Sequence, residues 1–148
     1  MNHQSEPDTN KPNYIVYTDG GSRGNPGEAA YGFVVYDSER KIIKEQGTRI
    51  GINTNNVAEY SAIISALKWV SENSEIENPL VHVFMDSQLA TMQLKGIWKI
   101  KNENIRNFFF TIKSLEQSIG GKISYTHIPR EQNKEADKMV NLALDNKI

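Results

Sequence analysis

The sequence contains no cysteine, which excludes disulfide bonds, thiolate zinc sites and thiol nucleophiles together. It also lacks long apolar runs, since no stretch approaches the roughly 18 residues that a membrane-spanning helix needs. The first twelve residues are polar and have no apolar signal-peptide core. We therefore expect a cytoplasmic protein with no membrane partner.

An excess of basic charge is missing as well. The 17 Lys and Arg residues are balanced by 18 Asp and Glu residues, for a net charge of -1. Nucleic-acid-binding proteins are usually strongly basic, so composition taken alone argues against such a partner. What is present is typical of one globular domain: 38% hydrophobic and 24% charged residues in a chain of 148. We expect a disordered tail over residues 1–12 and one folded domain over residues 13–148.

The first half of the chain predicts three strands and a helix. Strands are expected from residue 13 to 18, from 30 to 36 and from 41 to 50, as an antiparallel meander. Residues 19–27 hold four Gly and one Pro, which predicts a turn-rich connection. Apolar residues then recur at helical spacing from Ala62 to Val70, with Asn55 or Asn56 placed to cap the helix.

The second half alternates strands and helices. The apolar run 79–85 predicts a strand buried on both faces, and a short helix follows it. An amphipathic helix over residues 105–119 ends at two glycines, before a strand over 122–128 and a helix from 135 to about 144. The predicted order is βββαβααβα: an α/β fold whose five-stranded mixed sheet has three antiparallel strands, then two parallel ones, flanked by helices.

Four carboxylates stand at the ends of these elements. Asp19 and Asp86 close strands, while Glu59 and Asp137 lie in the first turns of helices. Each alone has an ordinary explanation, because acids favour turns and helix N-termini. Helical spacing, however, places Glu59 and Asp137 on faces that should be buried. Since open α/β sheets bind ligands beside the carboxyl ends of strands, we expect the four acids to converge there.

Clustered carboxylates repel one another unless a cation lies between them. Oxygen ligands without cysteine favour Mg²⁺ or Mn²⁺ over zinc. Two such ions can activate a water and stabilise the leaving oxygen of a phosphoryl displacement. We therefore expect Mg²⁺ at the site, with Mn²⁺ as the alternative.

Four segments, in this order, resemble the type 1 ribonuclease H family. They are YTDGGSRGNPG at 17–27, TNNVAEY at 54–60, MDSQ at 85–88 and NKEAD at 133–137. The resemblance runs from about Tyr14 to Leu144 and implies a ribonuclease H-like catalytic domain over residues 13–148. It also implies a two-metal endonuclease that cuts the RNA strand of an RNA·DNA hybrid, largely regardless of sequence, leaving 5′-phosphate and 3′-hydroxyl ends.

The same resemblance assigns roles to individual residues. Asp19 would bridge both ions, Glu59 and Asp86 would hold the ion on the leaving-group side, and Asp137 would help hold the ion that positions the water. Substrate contacts are implied in the minor groove and at a DNA-strand phosphate, the latter near Thr54; the minor-groove residues are Asn25, Asn55, Asn56 and Gln88. Amide side chains can bond 2′-hydroxyls and base edges there without reading a full sequence code. Turn and cap chemistry is the simpler alternative for the asparagines.

Two departures from the family pattern concern the protrusion and the histidine. The basic, Trp-rich protrusion of the best-known bacterial branch is absent or shortened at residues 96–102, as in a handle-less branch. Residues 95–113 still hold five basic residues and one acidic one, so we expect Lys99 and Lys101 to contact phosphate. A solvated charged face is the alternative.

The family histidine before the last acid has no counterpart in the short loop 128–133. Arg130 is our candidate for its function, because a guanidinium can bind the scissile phosphate, although it cannot carry a proton at neutral pH. His127 and His82 are predicted to be strand residues.

Three functions are therefore to be compared. The first is a hybrid-cleaving enzyme, expected to be a monomer, with double-stranded RNA as a second candidate substrate. The second is a non-catalytic hybrid-binding module or scaffold, against which the presence of all four acids argues. The third keeps the fold but changes the reaction, as in resolvases, integrases and DEDD exonucleases; these lack the glycine-rich and TNNVAE segments.

Overall fold

The computed structural model describes residues 11–148, so most of the predicted tail lies outside the described residues. The elements are β1 Tyr14–Arg23, β2 Gly27–Asp37, β3 Ile42–Asn53, α1 Asn55–Asn73, β4 Leu80–Met85, α2 Gln88–Leu94, α3 Glu103–Ile119, β5 Lys122–His127, a 3-10 turn Arg130–Gln132 and α4 Lys134–Leu144. Their order confirms the predicted succession βββαβααβα. No helix within residues 11–148 is long and apolar enough to cross a membrane.

The five strands form one mixed sheet in the order β3-β2-β1-β4-β5. The pairs β1/β2 and β2/β3 are antiparallel. The pairs β1/β4 and β4/β5 are parallel. This confirms the predicted fold and makes β1 the central strand, with its middle beside the carboxyl end of β4.

Strand β1 is longer than predicted. It continues through the glycine-rich segment to Arg23, and Gly20 and Gly21 pair with Tyr31 and Ala30 of β2. The prediction of a turn over residues 19–27 was therefore wrong for its first half. A Cβ on Gly20 would lie 2.2 Å from the backbone carbonyl carbon of Ala58, so this glycine permits the close approach of α1.

Asp19 consequently lies within β1 and does not close it. The parallel pairing with β4 ends one residue earlier, at Thr18 opposite Met85. The side chain of Asp19 therefore lies beside the carboxyl end of β4, although its own backbone continues to pair with Gly32 of β2.

Helix α1 also begins differently from the prediction. Its N-cap is Thr54, whose hydroxyl oxygen accepts a hydrogen bond from the Val57 N–H at 3.3 Å. Neither Asn55 nor Asn56 is the cap. Glu59 therefore lies in the second turn of the helix, one turn beyond its predicted position.

The core lies mainly between the sheet and helices α1 and α3. Fully buried side chains there include Val16, Phe33, Ile63, Leu67 and Ile112. Helix α4 packs on the opposite face, against β1, β2 and β3. Because α4 does not extend over β4, only alternate residues of β4 are buried, and the expectation of burial on both faces was wrong.

Candidate functional site

Asp19 is the most deeply placed of the four predicted acids, with 8% of its surface exposed. Burial, together with the negative charges of Asp86 and Asp137, raises the pKa of the Asp19 carboxyl to about 8. A hydrogen bond with the Asp137 side chain also raises this pKa, whereas the backbone N–H of Gly20 lowers it. The carboxyl is therefore held where its ionised form is disfavoured in the absence of a cation.

Glu59 approaches the same place from α1. Burial raises the pKa of its carboxyl to about 7, although a side-chain hydrogen bond with Ser87 acts in the opposite direction. The charge of Asp86 raises this pKa further. Asp86 follows β4 directly and is half-buried, as is Asp137 in the first turn of α4. The structure thus brings all four predicted acids together beside the carboxyl end of β4, next to the middle of β1.

Three of the four acids line a cleft that suits a small cation. It has a volume of about 10 Å³ and is lined by Thr18, Asp19, Glu59, Met85, Asp86 and Ser87. That volume is close to the space taken by one water molecule. No three acidic or histidine side chains within residues 11–148 already form a coordination cluster. The donors are nonetheless all oxygens, and a divalent ion would offset the burial and the repulsion that raise the pKa values of Asp19 and Glu59, so the residues fit Mg²⁺ or Mn²⁺.

Asn133 is a site residue whose contacts the sequence did not predict. It is 1% exposed, and its side-chain amide donates to the Thr18 carbonyl at 2.9 Å and to Asp86 Oδ2 at 3.2 Å. A polar residue just before a helix usually indicates a cap, so no local signal pointed to its burial. Only the packing of α4 against β1 places it beside the acids.

The predicted minor-groove asparagines are connected to one another. The Asn55 N–H donates to Asn25 Oδ1 at 3.0 Å, and Asn55 Oδ1 accepts from the Ser22 N–H at 2.9 Å. Asn25, Thr54 and Asn56 line a cleft of about 250 Å³ that reaches Asn102. Thr54 and Asn55 therefore do have local structural roles, while Asn25 and Asn56 are exposed at the cleft. Gln88 is exposed at the first position of α2.

Four of the five basic residues of segment 95–113 divide into two groups. Arg106 donates to the Ile100 carbonyl at 3.1 Å, and Lys113 forms a 3.3 Å ion pair with Glu116. Lys99 and Lys101 instead line a cleft of about 530 Å³ that also includes Asn56 and Trp98. Because Asn56 lies in the first turn of α1, the two lysines lie beside the same end of this helix as the asparagines.

A buried hydrogen-bond chain supports the loop that carries Lys99. The Tyr60 hydroxyl donates to Gln93 Oε1 at 2.6 Å, and Gln93 Nε2 donates to the Lys99 carbonyl at 3.3 Å. The basic loop is thereby connected to α1 one residue after Glu59. Local sequence patterns contain no signal for this long-range contact.

Arg130 and the two histidines occupy the positions predicted from the sequence. Arg130 is exposed at the start of the 3-10 turn between β5 and α4, and its carbonyl accepts from the Asn133 N–H at 3.0 Å. His82 lies within β4 and His127 ends β5 opposite Met85, which confirms both as strand residues.

Comparison with known proteins points to one family. The family model described as RNase H matches residues 11–145. Ribonuclease HI of Halobacterium salinarum is 38% identical over 130 residues, which cover 88% of this chain and 63% of that protein. The bifunctional protein Rv2228c of Mycobacterium tuberculosis is 36% identical over 132 residues, covering 88% of this chain and 35% of that protein.

A solved structure supports the same assignment. The crystal structure of LC11-RNase H1 in complex with RNA/DNA hybrid superposes with a TM-score of 0.81 at 38% identity, and the match covers 90% of this chain and 98% of that one. The chain nevertheless spans only about a third of the length of the first curated relatives that it matches, at 35%.

Proposed function

The chain belongs to the ribonuclease H family, and from this premise we propose that it is an endonuclease that hydrolyses the RNA strand of RNA·DNA hybrids. The observation that carries the proposal is the convergence of four carboxylates beside the carboxyl end of β4, two of them with raised pKa values. A domain that only binds a duplex has no use for an acid cluster that disfavours its own ionisation.

We assign the four acids to two divalent ions, with Mg²⁺ as the expected ion and Mn²⁺ as the alternative. Asp19, which is central in β1, would be the shared ligand, Glu59 and Asp86 would hold the ion on the leaving-group side, and Asp137 would help to hold the ion on the water side. When bound, such ions supply activation of the attacking water and stabilisation of charge on the leaving oxygen. The products are a 5′-phosphate and a 3′-hydroxyl.

The remaining predicted residues bind and orient the hybrid. Asn25, Asn56 and Gln88 face the minor groove from the rim of the site, with Asn55 bracing Asn25. Thr54 lies near a phosphate of the DNA strand, and Lys99 and Lys101 contact phosphates farther along the duplex. Arg130 holds the scissile phosphate.

Two features support this substrate. The clefts lined by the asparagines and by the two lysines share Asn56, so one duplex could contact both. LC11-RNase H1, which shares the fold at 38% identity, was crystallised with an RNA/DNA hybrid.

A cleavage assay on three duplexes tests the proposal. End-labelled RNA·DNA hybrid, duplex RNA and duplex DNA are incubated with the protein, with Mg²⁺, with Mn²⁺ and with EDTA. We expect cleavage of the RNA strand of the hybrid with either ion, no cleavage in EDTA and none of duplex DNA. Binding of the hybrid without cleavage under both ions would instead support a non-catalytic binding module. The duplex RNA lane decides whether double-stranded RNA is a second substrate.

A further inference from the structure

Asn133 stands at the N-cap position of α4 but does not cap the helix. A capping asparagine normally accepts a hydrogen bond from one of the first backbone N–H groups of its helix. No side-chain hydrogen bond of this kind is present at Asn133. The side chain turns instead toward the sheet, where it is almost fully buried.

The amide of Asn133 joins two strands at the acidic site. Nδ2 donates to the carbonyl oxygen of Thr18, which precedes Asp19, and to Oδ2 of Asp86. Because both partners are acceptors, the NH₂ end of the amide must face them. Oδ1 is buried and has no hydrogen-bond partner in the part of the chain that the structure describes. The Nδ2 group of Asn133 thus donates two hydrogen bonds, whereas its Oδ1 accepts none from the described residues.

The backbone of Asn133 adds a third connection. Its carbonyl accepts from the Asp137 N–H at 3.1 Å in the first turn of α4. One residue therefore contacts the segments that carry Asp19, Asp86 and Asp137. Its side chain holds one oxygen of Asp86, which restricts rotation of that carboxylate about its χ2 bond.

We propose that Asn133 is a positioning residue that orients the Asp86 carboxylate against β1, so that Asp86 and Asp19 present their oxygens to a divalent ion together. The proposal rests on the assignment of these acids as ion ligands under the proposed function. Groups that hydrogen-bond to metal ligands commonly change ion affinity or activity by about 10- to 100-fold when they are removed.

The test compares alanine substitutions of two asparagines whose side chains each help to join the segments of β1 and β4. Asn13 also connects β1 to β4, because its Oδ1 accepts from the Leu80 N–H at 2.8 Å, but it does so at the opposite end of the sheet. Mn²⁺ affinity is measured by titration calorimetry for the unmodified protein, Asn133→Ala and Asn13→Ala. We expect Asn133→Ala to weaken Mn²⁺ binding about 10- to 100-fold. Asn13→Ala should bind Mn²⁺ like the unmodified protein.

A second variant separates orientation from packing. Asn133→Leu keeps the branched shape of the side chain and removes both donors. It should weaken Mn²⁺ binding as Asn133→Ala does, whereas in an Asp86→Asn background it should cause no further loss. Unchanged Mn²⁺ affinity in both Asn133 variants, or equal losses with and without the Asp86 carboxylate, would overturn the proposal.

NMR of the unmodified protein provides a test that does not depend on whether a variant folds. The side-chain amide protons of Asn133 should exchange slowly with solvent, and their NMR signals should shift when Mg²⁺ is added. Fast exchange and no shift would contradict the proposal. Hybrid cleavage by the unmodified protein is assayed in parallel: tight ion binding that depends on Asn133 without any cleavage would refute the proposed function and leave this inference standing.

Discussion

The acidic site and the basic segment differ in how each is held. The four acids project from elements that also form the core, and Asp19 is nearly as buried as its apolar neighbours. Lys99 and Lys101 are exposed on a loop that is held to the core through Gln93. Under the proposed function, this difference predicts a division of labour in which the buried acids carry out the reaction and the exposed lysines supply affinity.

The difference between the acidic site and the basic segment also accounts for the net charge. The acids that bring the balance to -1 include four that lie together beside the carboxyl end of β4. The basic residues that line the neighbouring cleft of about 530 Å³ are two, Lys99 and Lys101. Near-neutral charge is therefore compatible with a nucleic-acid partner, and the small number of basic residues at the cleft predicts weak binding.

The largest expected effect is that of Asp86→Asn. Loss of this carboxylate should lower hybrid cleavage by roughly a thousandfold, as removal of a central catalytic group typically does. The fold should persist, because Asp86 is half-buried and its charge raises the pKa of both Asp19 and Glu59. Cleavage rates and circular dichroism check both statements, and full activity in the variant would contradict the ion-ligand assignment.

The second-largest effect is expected when the charges of both exposed lysines are reversed. Lys99→Glu with Lys101→Glu should raise KM about tenfold, leave kcat nearly unchanged and flatten the dependence of KM on salt, because two phosphate contacts are lost. The matched control reverses Lys41 and Lys122, which are exposed at the opposite end of the sheet. An effect on kcat alone would break the proposed division between the two regions.

Arg130 shares features of both regions. It is exposed, like Lys99 and Lys101, but it follows β5 at the end of the sheet where the four acids lie. Arg130→Ala should lower kcat about tenfold through the loss of one charged contact to the scissile phosphate. Lys134→Ala, an exposed cation four residues later, is the control and should retain the original rate. An unaltered kcat in Arg130→Ala, measured under saturating hybrid, would remove Arg130 from the site.

The limits of sequence reasoning follow the same division. Element order could be predicted because hydrophobic periodicity is a local signal, and so could the approach of the four acids to one another, although Asp19 lies within its strand and Glu59 in the second helical turn. The continuation of β1 could not, since the glycine at position 20 serves contact with a helix 38 residues later in the chain. Burial of Asn133 and the internal contacts of Arg106 and Lys113 depend in the same way on packing between distant segments. Local sequence patterns thus identify the candidate site residues, but not the long-range contacts that hold them in place.

The smallest effect concerns the pH dependence of stability in the ion-free protein. The pKa of Asp19 is raised from 3.8 to about 8 in the folded state, so the folded protein binds this proton more tightly than the unfolded chain does. The stabilisation is fully present below about pH 4 and is lost as the pH rises toward 8. Asp19→Asn removes this dependence and should therefore raise Tm at pH 8.5, on the order of a few degrees, and change it little at pH 5.

Thermal unfolding in EDTA at the two pH values measures this difference, with Lys99→Glu as the control from the basic segment. The control should show the same pH dependence as the unmodified protein, because Lys99 is exposed and lies outside the acid cluster. Added Mg²⁺ should reverse the ranking at pH 8.5, since an ion that binds only the folded protein stabilises it, and Asp19→Asn lacks the shared ligand. A Tm of Asp19→Asn that stays below that of the unmodified protein in EDTA at pH 8.5 would mean that the buried carboxylate is satisfied by the protein itself, and that the acidic end needs no cation to be stable.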